Sequence, residues 1–253
     1  MCATLSTQEL DRYDRQIAID EIGAAGQEKL KDARVLICGA GGLGSTAAIY
    51  LAAAGVGAIT LVDHDRVVLS NLNRQVLHHE TDVGRRKVDS AAEKLGRLNS
   101  RVMVTTRAER LTRQNAIAVM AGHDIIIDAL DNPETRYVLN KTALDLRIPF
   151  VHGAVCGFEG RIMTVIPDQS TCLRCLYRGP VPRLDPLPVI GVTPAVIGAL
   201  QATEAIKYLT GTGALLTNRL LIYDGLKIEW REFKVRKNPA CDHCGPCRGR
   251  MPS

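Results

Sequence analysis

The chain has 253 residues, 46% of them hydrophobic, and carries 32 Lys and Arg against 27 Asp and Glu for a formal charge of +5. This is enough chain for a sizeable core, read here as one large domain, while the charge surplus is too small and too scattered to argue for nucleic acid over a mildly acidic protein partner. The start, MCATLSTQELDRYDRQ, lacks a basic-then-apolar leader pattern, and the longest uncharged run, residues 45–62, is broken by Gly55 and Gly57, so a cytoplasmic chain without a membrane span is expected.

Residues 7–31 read as polar, helix-forming segments interrupted at Gly23–Gly26, and the apolar run RVLIC, ending at Cys38, is the first buried strand. A glycine turn, a helix over Ser45–Ala54 stopped by Gly55, and the strand AITLVD complete a βαβ unit whose parallel strands need cover on both faces. The alternation continues with a helix around Val88–Asn99, a strand near Val102–Thr106, a helix near Gln114–Ala121, the strand DIIIDAL and a helix over Thr135–Leu146. PFVHGAV and RIMTVI lie too close together for a crossover helix, which predicts antiparallel strands at the end of the sheet. Pro180, Pro182, Pro186 and Pro188 make residues 176–192 an extended segment and the best candidate for a functional loop. A last helix, Pro194–Leu209, with proline in its first turn and Gly211 after it, precedes RLLIYDG, KIEWREFKV and a cysteine-rich tail. The expected fold is α/β, with a Rossmann-like, mostly parallel sheet, antiparallel strands at its C-terminal end and helices on both faces. One domain is expected, made of N-terminal helices (1–31), a nucleotide-binding core (32–150), the crossover loop (176–192) and a tail (238–253).

GAGGLG puts Gly39, Gly41 and Gly44 at G-x-G-x-x-G spacing between a strand and a helix, with Gly42 inside the turn. The first glycine permits the tight turn, the second lets a phosphate approach the backbone, and the helix N-terminus offers oriented N–H donors. Asp63, at the end of the next strand, is placed to accept from ribose hydroxyls. The fingerprint alone does not separate NAD from ATP. Further polar groups do: Asn71 and Arg74 follow the acid, GRRK brings Arg85, Arg86 and Lys87 to a helix start, and ALDNPETR puts Asp131 at another strand end, with Asp65 a further nucleotide-binding candidate. In an open α/β sheet such strand ends converge on one crevice, where Arg74 and Lys87 can hold a triphosphate and Asp131 can hold Mg²⁺. Hydride transfer requires none of them. Singly, each also has a plainer role, Asp131 as a helix cap and Arg74 as a surface ion pair.

Eight cysteines in a reducing compartment are read for metal first. Cys172 and Cys175 in CLRC, with Cys241 and Cys244 in CDHC, make two C-x₂-C knuckles that suit a closed, structural Zn²⁺ site. Cys247 is an alternative partner, and His243 a conceivable fifth candidate.

The chain resembles the ThiF/MoeB/HesA family, the relatives of ubiquitin-activating enzymes that adenylate a carboxylate with ATP. The matching stretches are RYDRQI, GAGGLGS, DHDRVVLSNLNRQ, VGRRKVDSA, DALDNPETRYVLN, LQATEAIKYLTG, and CLRC with CDHC, in order over nearly the whole chain. The resemblance implies that the three fingerprint glycines line ATP, that Asp63 binds its ribose, and that Asn71, Arg74, Gln75 and Lys87 contact its phosphates. Asp131 would serve Mg²⁺ and catalysis, and Arg15 would reach across a homodimer into the partner's site. The product would be an acyl adenylate and pyrophosphate. The leading substrate is the C-terminal carboxylate of a small ubiquitin-like sulfur carrier ending in Gly-Gly, received as an extended strand by the proline-rich loop and the sheet face beside it. A small-molecule carboxylate of cofactor biosynthesis is the alternative, and an NAD-dependent oxidoreductase or a module without catalysis stands further off. Many family members carry a loop cysteine for acyl or persulfide transfer; here LYRGPVPRLDPLPVIGVTP has none, which puts such a step in doubt. Cys156, Cys2 and Cys38 are poor substitutes on their apolar or terminal surroundings.

Overall fold

The computed structural model describes residues 4–177 and 188–245. In chain order these form α1 (Thr7–Arg12), α2 (Asp14–Ile17), α3 (Gly23–Asp32), β1 (Arg34–Cys38), α4 (Gly42–Ala53), β2 (Ala58–Val62), α5 (Lys87–Leu98) and β3 (Met103–Arg107). There follow α6 (Ala116–Met120), β4 (Ile125–Asp128), α7 (Pro133–Leu146), β5 (Phe150–Cys156), β6 (Glu159–Val165), α8 (Leu173–Leu176), α9 (Val192–Thr210), β7 (Arg219–Asp224) and β8 (Glu229–Lys234). The eight strands make one sheet in the order β3-β2-β1-β4-β5-β6-β7-β8. Strands β3 to β5 pair in parallel and β5 to β8 antiparallel, as the short PFVHGAV–RIMTVI spacing requires. Two expectations shift. Gly23–Gly26 opens α3 instead of interrupting a helix, and α4 begins at Gly42, inside the fingerprint, so that the glycine turn is itself the helix N-terminus.

Side chains alternate across a strand, and the central strands here are apolar on both faces. Val35, Ile37, Ile125 and Ile127 enter one core, packed against α4, α5 and α9, while Leu36, Cys38 and Ile126 enter the other with α6, α7 and the cysteine knuckles. Helix α9, 19 residues long, is the main lid on the first face. Pro133 at the first turn and the Asn132 side chain, which accepts from the Thr135 amide at 2.9 Å, start α7. At the open edge β8 exposes all six of its residues. No helix among the described residues is long and apolar enough to cross a membrane.

Burial shapes the response to acid. It holds the His78, His123, His152 and His243 imidazoles below their ordinary range, so the folded chain keeps them neutral. Unfolded, a histidine titrates near about 6.5, so below that pH the unfolded chain binds more protons and stability falls with pH toward the folded-state values. Burial also resists ionisation of Glu9, yet the Lys31 ammonium and Ser6 outweigh it and hold this carboxyl down at about 2, a stabilisation present above the unfolded value and lost progressively as the pH falls from there through about 2. The melting temperature is therefore expected to drop already between pH 7.5 and pH 5.5. A flat profile over that window would show that the imidazoles titrate normally.

Candidate active site

The order of strands reverses between β1 and β4, and the loops leaving their C-terminal ends part there to leave a cavity of about 700 Å³. On the side of β2 and β3 it is lined by Gly39, Gly41, Gly42, Asp63, Asp65, Arg74, Gln75, Lys87 and Arg110. On the side of β4, β5 and β6 it is lined by Asp131, Arg136, Tyr177, Cys156, Glu159 and Arg161. Nine of the sequence-predicted residues thus meet in one crevice: the three turn glycines, Asp63, Asp65, Arg74, Gln75, Lys87 and Asp131.

Gly44, Asn71 and Arg15 do not line it. A Cβ on Gly44 would lie 1.8 Å from the Gly39 carbonyl oxygen, so this glycine lets the first turn of α4 sit directly on the strand end. Gly39, at φ +103, is pressed in turn against the Ala129 carbonyl after β4. By contrast a Cβ on Gly41 would meet only Gln75 Nε2, at 3.6 Å, which leaves the backbone there open to a ligand. Gly44→Ala is expected to cost about 3 kcal/mol of stability and to weaken ATP binding more than about tenfold. Calorimetric melting and nucleotide titration check this, and parent-like values in both would show that the turn yields. Asn71 shapes the loop: its side chain accepts from the Val68 amide at 3.3 Å and its carbonyl from the amides of Arg74 and Gln75, presenting those two side chains to the cavity. The Arg15 side chain is 98% exposed and lies 4.0 Å from the Asp14 carboxylate.

The charges are pre-arranged. Asp63 accepts from the Ala40 amide of the glycine turn and from the Asp65 amide, both at 2.8 Å, which fixes the carboxylate at the strand end. Lys87, only 7% exposed, donates to Asp65 at 2.8 Å. Partial burial opposes ionisation of Asp65, but that bond and the neighbouring cations hold it below the ordinary carboxylate range. Among the described residues Arg74 is tied only to the Ser70 carbonyl and Asn73, leaving most of its guanidinium to solvent and cavity. The Gln75 side chain is 4% exposed and its Oε1 lacks a partner. A buried orphan of this kind beside an open backbone fits a polar ligand lying across the turn.

Asp131 is exposed in the cavity, its one bond among the described residues coming from Asn132 Nδ2 at 3.3 Å. The helix cap that Asp131 was a candidate for belongs to Asn132, which frees the acid for a ligand. Residues outside the sequence reading also surround the site. His78 is one: its ring bridges the Ala40 carbonyl, through Nε2 at 3.0 Å, and Ser90 Oγ, bracing the turn from below. Arg110 follows β3, a strand end that the crevice rule alone would have flagged. Cys156, expected to be inert in small apolar surroundings, is instead exposed at the end of β5 on the cavity wall.

The four knuckle cysteines converge beside the second core. Their sulfurs all lie within 4.8 Å of one another, with Cys172–Cys241 at 3.6 Å and Cys175–Cys244 at 3.4 Å, and all four residues are buried. Tetrahedral Zn²⁺ at about 2.3 Å from each sulfur needs S···S separations of about 3.8 Å, so the cluster fits zinc with little movement. His243 is no part of it; its Nδ1 accepts from Asn140 Nδ2 at 2.6 Å. The carbonyl oxygen of the same side-chain amide, Asn140 Oδ1, accepts from the Leu173 amide at the start of the first knuckle. Cys247 and Cys2 lie outside the described residues, as does most of the crossover loop.

The ThiF family model matches residues 13–243. The chain is 44% identical over 250 residues to the SAMP-activating enzyme E1 of Haloferax volcanii, covering 97% of this chain and 92% of that one. It is 44% identical over 248 residues to the sulfur carrier protein adenylyltransferase of Thermus thermophilus, covering 94% and 92%. It also matches the longer adenylyltransferase and sulfurtransferase MOCS3 of Culex quinquefasciatus at 44% identity, 96% of this chain spanning 57% of that protein. In fold it is similar to the E. coli MccB structure with ATP, with a TM-score of 0.82 and 24% identity, covering 93% of this chain and 74% of that one.

Proposed function

Because the chain belongs to the ThiF family, we propose that it is the adenylyltransferase that activates the C-terminal carboxylate of a small ubiquitin-like sulfur carrier. One observation carries this reading: a single strand-end cavity gathers the open glycine turn, the ribose-ready Asp63, the cations Arg74 and Lys87 and the uncommitted Asp131. A carboxylate oxygen attacks the α-phosphorus of ATP, the bond to the β-phosphate oxygen breaks, and pyrophosphate leaves with its electron pair. Two anions have to approach, and cations fixed before the reaction reduce that repulsion without reorganising. Arg74 and Lys87 take this role, Lys87 exchanging its bond to Asp65 for phosphate oxygens. Asp131 would hold Mg²⁺, whose charge would offset that building on the phosphates. Hydride transfer to a nicotinamide would leave these three groups without a task.

The carboxylate enters from the side of β5 and β6, where Glu159 and Arg161 form an ion pair at 2.7 Å beside Cys156. The chain acts as a homodimer in which Arg15, 98% exposed and held only loosely by Asp14, completes the neighbouring site. Zn²⁺ on Cys172, Cys175, Cys241 and Cys244 is structural.

ATP–pyrophosphate exchange separates the substrate classes. Carrier proteins ending in Gly-Gly should drive it and free small carboxylic acids should not. Exchange with small acids alone would establish the second reading, which the cysteine-free loop sequence favours.

A further inference from the structure

Behind the turn that carries Asp131 lies a buried network that the chemistry above does not use. Asp128 ends β4 and pairs in register with His152 of β5; both are fully buried, and His152 Nδ1 lies 2.7 Å from Asp128 Oδ2. Burial keeps the imidazole below its ordinary range despite the carboxylate, so the ring is neutral, Nδ1–H donates, and Nε2 is left as an acceptor without a partner among the described residues. The other oxygen, Asp128 Oδ1, accepts from the Leu130 amide at 3.3 Å and lies 3.6 Å from Arg136 Nε. Arg136 Nη2 donates to the Leu130 carbonyl and, at 2.8 Å, to the Gly153 carbonyl. Both polar backbone groups of the residue before Asp131 are thereby fixed, the N–H by Asp128 and the C=O by Arg136. One guanidinium joins α7, the end of β4 and β5, and it does so on the cavity wall with its side chain 15% exposed.

We propose that Arg136 is a positioning residue for the adenylation reaction: anchored by the Asp128–His152 pair, it sets the peptide of Leu130 and hence the direction in which Asp131 meets the nucleotide. This rests on the adenylation reading above. A simple ion pair between α7 and β4 would need one contact to Asp128; here Nη2 donates to two backbone carbonyls while Nε of the same rigid plane faces Asp128, a two-nitrogen arrangement that the single nitrogen of an ammonium cannot reproduce.

The test uses the full chain with Arg136→Gln and Arg136→Lys. In the nucleotide-free protein, amide hydrogen exchange over residues 129–131 should quicken at least about tenfold in either variant. Carrier-driven pyrophosphate exchange should lose about 100-fold in kcat with the KM for ATP within about threefold, because a displaced acid misaligns the reaction more than the binding. In an Asp131→Asn background the same Arg136 change should cost less than about threefold further, since its effect passes through Asp131. Unchanged amide exchange over 129–131, or a full additional loss in the Asp131→Asn background, would overturn the proposal. Should Arg136→Gln fail to fold, Arg136→Lys decides by the same readouts. A parent chain without carboxylate-driven exchange would defeat the adenylation reading instead, while the amide measurement would still report whether Arg136 holds the turn.

Discussion

Asp131→Ala is expected to lower carboxylate-dependent ATP–pyrophosphate exchange by about 100-fold or more while leaving ATP affinity within about threefold. The separation follows from the geometry. On the proposed reading binding is spread over the glycine turn, Asp63, Gln75 and the cations on the β2 side of the crevice, none of which leans on Asp131. The acid stands on the β4 side, in solvent, with a single bond from Asn132, and α7 keeps its cap without it. Stability should therefore stay within about 0.5 kcal/mol of the parent. Equilibrium binding of ATP, read beside the exchange rate, decides: an unchanged rate would remove Asp131 from the reaction, and a parallel fall in both would make it a binding residue only.

Loss of the knuckle site is expected to have the largest effect on the fold. Cys175→Ser, or removal of metal by a strong chelator, should lower the melting temperature by about 10 °C or more, equivalent to about 4 kcal/mol for a chain of this size. The knuckles join α8 to the tail after β8, and the four sulfurs form part of the second core itself. Without metal, burial pushes the Cys172 thiol up to about 12 and raises Cys244 as well, so uptake must expel protons and should weaken in mild acid. Metal analysis should find one zinc per chain. Less than about half a zinc, or a melting curve indifferent to the chelator, would leave the cysteines as packed thiols.

Much of this was legible in the sequence because the signals are local. Val35 to Cys38 and Ile125 to Asp128 are continuous apolar runs with a polar end, which is how a strand buried on both faces must read when its tip meets a ligand. The cysteine knuckles declare themselves by spacing. What escaped was long-range. His78 supports the glycine turn from 38 positions away through the Ala40 carbonyl, and Gln201 of α9 holds the Asp128 and Val151 carbonyls across the sheet. Asp128 and His152 each looked like one polar residue ending or interrupting an apolar strand, and only the β4–β5 register brings them together. Arg136 sat inside a quoted motif, DNPETR, without a role, since its partners are backbone atoms that no residue letter displays. The edges of helices moved for a similar reason: Gly42 can start α4 because Gly44 has no side chain to strike Gly39, a fact of packing and not of helix preference.

The open margin of the sheet has its own logic. Among the described residues nothing pairs with the outer edge of strand β8, the template on which foreign strands nucleate, yet its sequence is Glu-Trp-Arg-Glu-Phe-Lys. A stray strand laid there must strip water from four ionic heads, and Arg219 already engages Glu232 from the neighbouring strand at 2.9 Å. The border thus discourages fibril-like growth by ionic hydration, while the flanking Trp230 and Phe233 remain accessible to any visitor that brings its own opposite charges.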